Sequence, residues 1–230
     1  MENWLYRSQK LFGEKGVENL KKSSVIVFGL GGVGSYAVEA LTRSGIGKIT
    51  LVDGDEYSVT NLNRQLYATL NTLGKKKVEV CAQRIKSINP DCVAIAMDKF
   101  VLESDLESFD FTPYDYVVDA IDTVSGKIGI IVNAQKQGVP VISCMGTGNK
   151  KDPTLFKIAD IFDTKVCPLC KVMRKLLKDR GVEKLDVVYS EEEPIKTEDR
   201  TPSSNSFTPA VAGLILAGRV INYLTEKSDD

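Results

Sequence analysis

Between Phe28 and Lys77 the chain carries residue types suited to gripping a polyphosphate. Gly29-Leu30-Gly31-Gly32-Val33-Gly34 comes first, then Asp53-Gly54-Asp55, then Asn61-Leu62-Asn63-Arg64, and finally Lys77. Each part alone is a weak signal, but the order and spacing together are specific. In a strand–loop–helix context, Gly29 permits a tight turn, Gly31 lets backbone amides approach phosphate oxygens, and Gly34 lets the helix pack close. The helix N-terminus after Gly32 and Gly34 offers unpaired amides and positive partial charge to an anion. Asp53, with Asp55 beside it, ends a second apolar run, about where a ribose-binding acid belongs. A simple turn is the bland alternative, and the strand–loop–helix context weighs against it.

An NAD dehydrogenase fits the glycine loop and Asp53 equally well. It has no need, however, of a clustered Asn61, Arg64 and Lys77. A triphosphate does, because an amide and two fixed cations neutralise the charge that grows as pyrophosphate leaves. Asp122, closing Val117-Val118-Asp119-Ala120-Ile121-Asp122, stands on the same rim as a candidate Mg²⁺ ligand. Helix N-capping is its structural alternative. Lys75 and Lys76 read as solvated neighbours of Lys77.

These residues need a scaffold that alternates strand and helix. Ser24–Phe28, Ile49–Val52, Cys92–Met97, Tyr116–Ala120 and Val139–Cys144 read as strands. Helices are expected over Val33–Ser44, Lys75–Ile88 and about Ser125–Gln137. The expected fold is α/β: a doubly wound, mostly parallel Rossmann-like sheet with the glycine loop at its carboxyl edge. In the second half, Phe156–Ile161 predicts an antiparallel strand, Pro168–Arg180 a basic helix and Val187–Tyr189 a strand. Glu191–Ser206 reads as a mobile loop and Pro209–Lys227 as a closing helix. One domain over 1–230 is expected, with a nucleotide-binding core over 1–150 and a substrate-side extension over 151–230.

With 230 residues, 43% of them hydrophobic, the chain can bury a sizeable core. A net charge of −1 argues against holding nucleic acid by overall electrostatics. No signal pattern and no membrane-length apolar stretch is evident, so a cytoplasmic location is expected. The absence of histidine excludes a Ser-His-Asp triad, a Cys-His dyad and any His-ligated metal.

From Val25 to Cys144 these motifs resemble the adenylating superfamily of ubiquitin-activating enzymes and their bacterial, ThiF-like relatives that activate sulfur-carrier proteins. That resemblance implies Asp53 on the ATP ribose, Asn61, Arg64 and Lys77 on the phosphates, and Asp122 at Mg²⁺. It also implies a homodimer in which an N-terminal arginine, here Arg7, reaches the partner's phosphates. The second half resembles the tRNA threonylcarbamoyladenosine dehydratase family, in Gly146–Thr154, Phe156–Ile161, Val187–Ser190 with Glu192 and Pro194, and Ser206–Gly213. That family implies ATP-dependent activation of the threonyl carboxylate of a modified adenosine beside the tRNA anticodon. An adenylate forms, pyrophosphate leaves, and the group closes to a ring with release of AMP. A sulfur-transfer protein is a further partner such a resemblance admits. The rival enzyme is an adenylyltransferase acting on the C-terminus of a ubiquitin-like or sulfur-carrier protein. A non-catalytic nucleotide sensor is the rival of another class, and the retained Arg64 and Lys77 speak against it.

Five cysteines in a chain with no secretion signal argue against a disulfide scaffold. Cys167-Pro168-Leu169-Cys170 has CxxC spacing, but a closed zinc site needs four ligands and no second pair exists. Plain helix-start cysteines, a metal shared within a dimer and a redox pair all remain open, whereas Cys81, Cys92 and Cys144 read as core. Many dehydratase relatives read Asp-Pro-Leu-Ala here. Lys171, Arg174, Lys175, Lys178 and Arg180 are either a solvated basic face or a tRNA contact. The acidic run Glu191–Glu193 reads as solvated.

Overall fold

The computed structural model describes residues 3–197 and 201–227. The elements run α1 (Tyr6–Lys22), β1 (Ser24–Phe28), α2 (Gly34–Arg43), β2 (Lys48–Val52), α3 (Lys77–Ile88) and β3 (Val93–Met97). Then follow α4 (Glu103–Leu106), β4 (Tyr116–Asp119), α5 (Val124–Lys136), β5 (Val141–Cys144), β6 (Phe156–Asp160), α6 (Pro168–Lys178), β7 (Asp186–Ser190) and α7 (Thr208–Thr225). One seven-stranded sheet, in the order β3-β2-β1-β4-β5-β7-β6, passes through both halves of the chain. All pairs are parallel except β6 with β7. The doubly wound sheet and its antiparallel extension are therefore as expected from sequence.

Alternation along the strands divides the core between two faces. Val25 and Val27 of β1 join Leu41 of α2, Cys81 of α3 and Leu216 of α7. Ile26 and Phe28 face the other way, with Ile128 of α5 and Met173 of α6. Both faces being covered explains why β1, β4 and β5 are buried throughout and apolar except at Ser24, Asp119 and Ser143.

The register sets the site. Phe28 lies level with Val52 on one side and Asp119 on the other. Gly29, Asp53 and Ala120 therefore leave the sheet at one height. The strand order reverses at β1, between β2 and β4, which is where an open α/β sheet forms its crevice.

Helix α1 was not foreseen. Only Gly16, Val17 and Leu20 of it are buried, so the apolar period that marks a helix is too thin to read. Gly13 interrupts it at φ +75°. Helix α3 opens at Lys77 rather than Lys75, because Glu56 bridges Lys76 and holds that residue extended.

Candidate nucleotide-binding cleft

A cleft of about 760 Å³ opens at the strand ends. Gly29, Gly31, Gly32, Asp53, Asp55, Asn61, Arg64, Lys77 and Asp122 all line it. Gly34 lies beneath the loop, and Arg7 sits on the exposed face of α1, outside the lining.

The glycine loop does what its spacing predicts. Gly29 turns at φ +86°, and a Cβ there would stand 2.7 Å from the Ala120 carbonyl oxygen. A Cβ at Gly34 would overlap the Gly29 carbonyl oxygen, so helix and loop touch backbone to backbone. Gly31 faces open space, with only Gln65 Nε2 at 3.8 Å from an added Cβ. Helix α2 has no side-chain cap, and of its first turn Ser35 N–H is taken by Gly31 O at 3.1 Å.

Asp53 is oriented before any nucleotide arrives. Its Oδ2 accepts from Leu30 N–H at 2.7 Å and its Oδ1 from Asp55 N–H at 2.8 Å. Lys77, almost wholly buried at the start of α3, reaches Asp55 Oδ2 at 2.7 Å and Asp53 Oδ2 at 4.0 Å. Arg64 Nη1 donates to Thr60 O at 2.8 Å and Asn63 Oδ1 at 2.9 Å, both neutral acceptors. Its charge therefore has no carboxylate partner among the described residues. Asn61 closes a 3₁₀ turn by accepting Ser58 N–H at 3.0 Å. Two cations and an amide thus line one short stretch of wall, held from behind by acids and carbonyls.

Asp122 is exposed on the opposite rim, and Thr123, not Asp122, is the residue preceding α5. Asp122 makes no hydrogen bond or ion pair among the described residues. A lone carboxylate on the rim facing the glycine loop fits Mg²⁺, which prefers one or two carboxylates and fills its shell with phosphate oxygens and water.

The ThiF family pattern matches residues 6–230. The chain belongs to the ThiF family. Among its relatives, the tRNA threonylcarbamoyladenosine dehydratase of Bacillus subtilis is 44% identical, covering 94% of this chain and 92% of that protein. The crystal structure of the E. coli tRNA N6-threonylcarbamoyladenosine dehydratase in complex with ATP matches with a TM-score of 0.91 at 34% identity. That match covers 97% of this chain and 96% of the other. E. coli MccB with ATP, 19% identical with a TM-score of 0.71, shares the fold.

This ThiF-family cleft also contains residues that the sequence reading passed over. Gln65 is buried, lines the cleft, and keeps Oε1 without a partner. Its place directly after Arg64 was the available signal. Lys99–Leu102 and Thr201–Ser204 complete the walls. Ser203 is tied back to Asn149, whose Oδ1 accepts its N–H at 2.7 Å. The expected loop over Glu191–Ser206 is otherwise irregular, and its residues 198–200 lie outside the described residues.

Behind Asp122, Lys127 is fully buried with Asp119. Its Nζ donates to Asp119 Oδ2 at 2.9 Å, Ser143 Oγ at 3.1 Å and Cys144 O at 2.7 Å. Asp119 Oδ1 in turn accepts from Ile121 N–H at 3.3 Å. One ammonium therefore joins the ends of β4 and β5, the two strands that carry Ala120–Asp122 and Met145–Gly148. A lysine inside the apolar run Val124–Val132 was the signal, since a buried lysine requires an acid.

Two surface readings change. Arg174 turns inward to Thr164 Oγ1 at 2.5 Å, and Arg180 pairs with Glu103 at 3.0 Å. The outward basic face of α6 is therefore Lys171, Lys175 and Lys178. The acidic run is also partly engaged: Glu192 accepts from Asp152 N–H at 2.9 Å and Glu191 pairs with Lys157 at 2.7 Å. Among the described residues no helix is long and apolar enough to cross a membrane.

Proposed function

We propose that this chain is an ATP-dependent tRNA threonylcarbamoyladenosine dehydratase, acting as a homodimer with Mg²⁺. What carries the reading is that the phosphate-binding set converges on one cleft, in a chain alike over nearly its whole length to a named dehydratase.

The glycine-loop amides and the N-terminus of α2 receive the phosphates, and Asp53 takes the ribose hydroxyls. Mg²⁺, held at Asp122, would supply further neutralisation of the phosphate oxygens. Arg64 and Lys77 bind the departing pyrophosphate, where negative charge builds as the threonyl carboxylate attacks the α-phosphorus. Gln65 offers the N–H of its Nε2, the side-chain atom nearest Gly31, to the same region. Arg7 of a second copy completes the cationic set. Ring closure then needs no protein nucleophile, because the attacking group of the substrate is already tethered beside the activated carbonyl. A chain without histidine is sufficient for that chemistry.

The test is a mass-spectrometric assay of tRNA nucleosides after incubation with protein, ATP and Mg²⁺. Conversion of threonylcarbamoyladenosine to a product lighter by one water is expected, with one AMP released per turnover. AMP release with a sulfur-carrier protein alone would instead select the adenylyltransferase. Nicotinamide binding without any response to ATP would revive a dehydrogenase.

A further inference from the structure

Part of the cleft is assembled from two distant stretches of chain, and one side chain joins them. Asn149, in the loop after β5, stands at φ +59°, a left-handed conformation that asparagine and glycine tolerate and most residues avoid. Its carbonyl accepts from Ile195 N–H at 2.8 Å, and its own N–H donates to Ser203 O at 2.9 Å. Its Oδ1 accepts twice from Ser203, from N–H at 2.7 Å and from Oγ at 2.9 Å. Asn149 therefore grips both limbs of the irregular segment that precedes α7. Its neighbours are fastened as well. Asn205 Nδ2 donates to Lys150 O at 2.9 Å, and Glu192 Oε1 accepts from Lys151 N–H at 2.9 Å.

The gripped segment is cleft wall. Pro202, Ser203 and Ser204 line the cavity together with Thr147, Gly148 and Leu169, whereas Asn149 stands behind the lining. The two stretches touch closely: a Cβ added to Gly148 would lie 2.9 Å from Pro202 Cβ and 3.4 Å from Ser203 O. At its other end Ser204 O accepts from Asn63 Nδ2 at 3.2 Å, and Asn63 Oδ1 accepts from Arg64 Nη1 at 2.9 Å. The wall thus runs from the loop after β5 to the arginine of the phosphate-binding set. None of the six lining residues carries a charge. Thr147 Oγ1 has no hydrogen-bond partner among the described residues. Such a surface has nothing to hold a phosphate and suits a neutral polar group that sits beside a charged one.

We propose that Asn149 is a positioning residue for the acceptor substrate. By clamping Pro202–Ser204 against Thr147–Gly148 it forms the pocket for the neutral, hydroxyl- and urea-bearing part of the threonylcarbamoyl group, leaving that group's carboxylate toward Arg64 and the nucleotide. The substrate role rests on the dehydratase reading of the cleft, whereas the clamp does not. The physical gain is preorganisation. Pro202–Ser204 belongs to no helix or strand, so without the clamp the substrate would have to order it on binding, at a cost in affinity. Gly29, Asp53 and Lys77 make no bond to Asn149 or to Pro202–Ser204, so nucleotide binding does not depend on the clamp.

Two variants of the full-length protein separate the clamp from the turn. Asn149→Gly keeps the left-handed backbone and deletes Oδ1, whereas Asn149→Asp keeps an acceptor at that atom. Hydrogen–deuterium exchange should show the Ser203 peptide opening about tenfold faster in Asn149→Gly and as in wild type in Asn149→Asp. Binding is then measured, with a non-hydrolysable ATP analogue present, to tRNA with and without the threonylcarbamoyl group. The preference for modified tRNA should fall about tenfold in Asn149→Gly and return in Asn149→Asp. Affinity for unmodified tRNA and for the ATP analogue should not change. Wild-type exchange at Ser203 in Asn149→Gly overturns the clamp. Faster exchange with the preference intact, or with analogue affinity falling equally, overturns the positioning role. A wild-type protein without any preference for modified tRNA overturns the dehydratase reading and the substrate role with it, and the exchange at Ser203 still decides the clamp.

Discussion

The two walls of the cleft are built on opposite plans. The near wall, from Gly29 to Lys77, presents charge to the opening: Arg64 rests on neutral oxygens, and Lys77 shares an acid that is itself half exposed. The far wall, from Asp119 to Cys170, hides its charge. Lys127 and Asp119 have no exposed surface, and Cys167 and Cys170 are buried. The near wall is equipped to receive an anion, and the far wall to hold a shape. A substitution should accordingly damage binding on one side and stability on the other.

The sharpest way to break that contrast is Lys127→Met. It leaves the Asp119 carboxylate buried without its cation, which costs about 3–5 kcal/mol. For a chain of this size the melting temperature should drop by roughly 6–20 °C, measured by calorimetry. Pairing it with Asp119→Leu removes both charges and should recover most of the stability. A Lys127→Met protein melting with the wild type would mean that the far wall is not held by its buried ion pair.

On the near wall, Arg64→Ala should leave melting within about 2 °C, because the side chain bonds only to exposed neutral groups. Turnover should fall about 10²–10³-fold, the usual cost of one charge-stabilising donor. A steady-state AMP-release assay reads the loss. An Arg64→Ala enzyme that unfolds early while keeping its rate would invert the comparison.

The same contrast explains what was legible in the sequence. Near-wall residues act through their backbone freedom or fixed charge and lie within one stretch of chain, so their types and spacing carry the message. Gly29, Asp53, Arg64 and Lys77 needed no tertiary knowledge to be singled out. Far-wall residues act through partners distant in sequence, such as Lys127 with Cys144 O and Gly146 with Cys167. Their types read as core or as ordinary turns until the fold brings them together. Helix α1 escaped for a related reason, since the three residues it buries do not make a period. The strands were legible because a sheet covered on both faces writes itself as apolar runs.

Gln65→Leu sharpens the contrast from inside the near wall. Its Oε1 is buried without a partner, so the unliganded protein gains little from the amide. Melting without nucleotide should hold or rise slightly. ATP affinity should weaken about tenfold, the worth of one hydrogen bond to a charged group, as read by titration calorimetry.

The smallest effect concerns the support of the near wall rather than its surface. Glu39 of α2 accepts from Arg84 Nη2 of α3 at 2.8 Å, from Arg43 Nε at 2.7 Å and from Tyr67 Oη at 2.9 Å. It thereby ties the helix behind the glycine loop to the helix that carries Lys77. Partial burial opposes its ionisation, but the bonds from Arg84, Arg43 and Tyr67 outweigh it and lower its pKa from the ordinary value of 4.5. A depressed carboxylate stabilises the fold fully above its unfolded pKa. That contribution fades as pH falls from 4.5 toward the lower folded value. The group is partly solvated, so the contribution is at most about 1 kcal/mol, or roughly 2–4 °C of melting temperature. Glu39→Gln should lose that increment at neutral pH and converge with wild type near pH 3, below the normal range of glutamate. Curves that stay parallel down to that pH would mean the tie between the two helices owes nothing to the charge of Glu39, leaving packing alone to position Lys77.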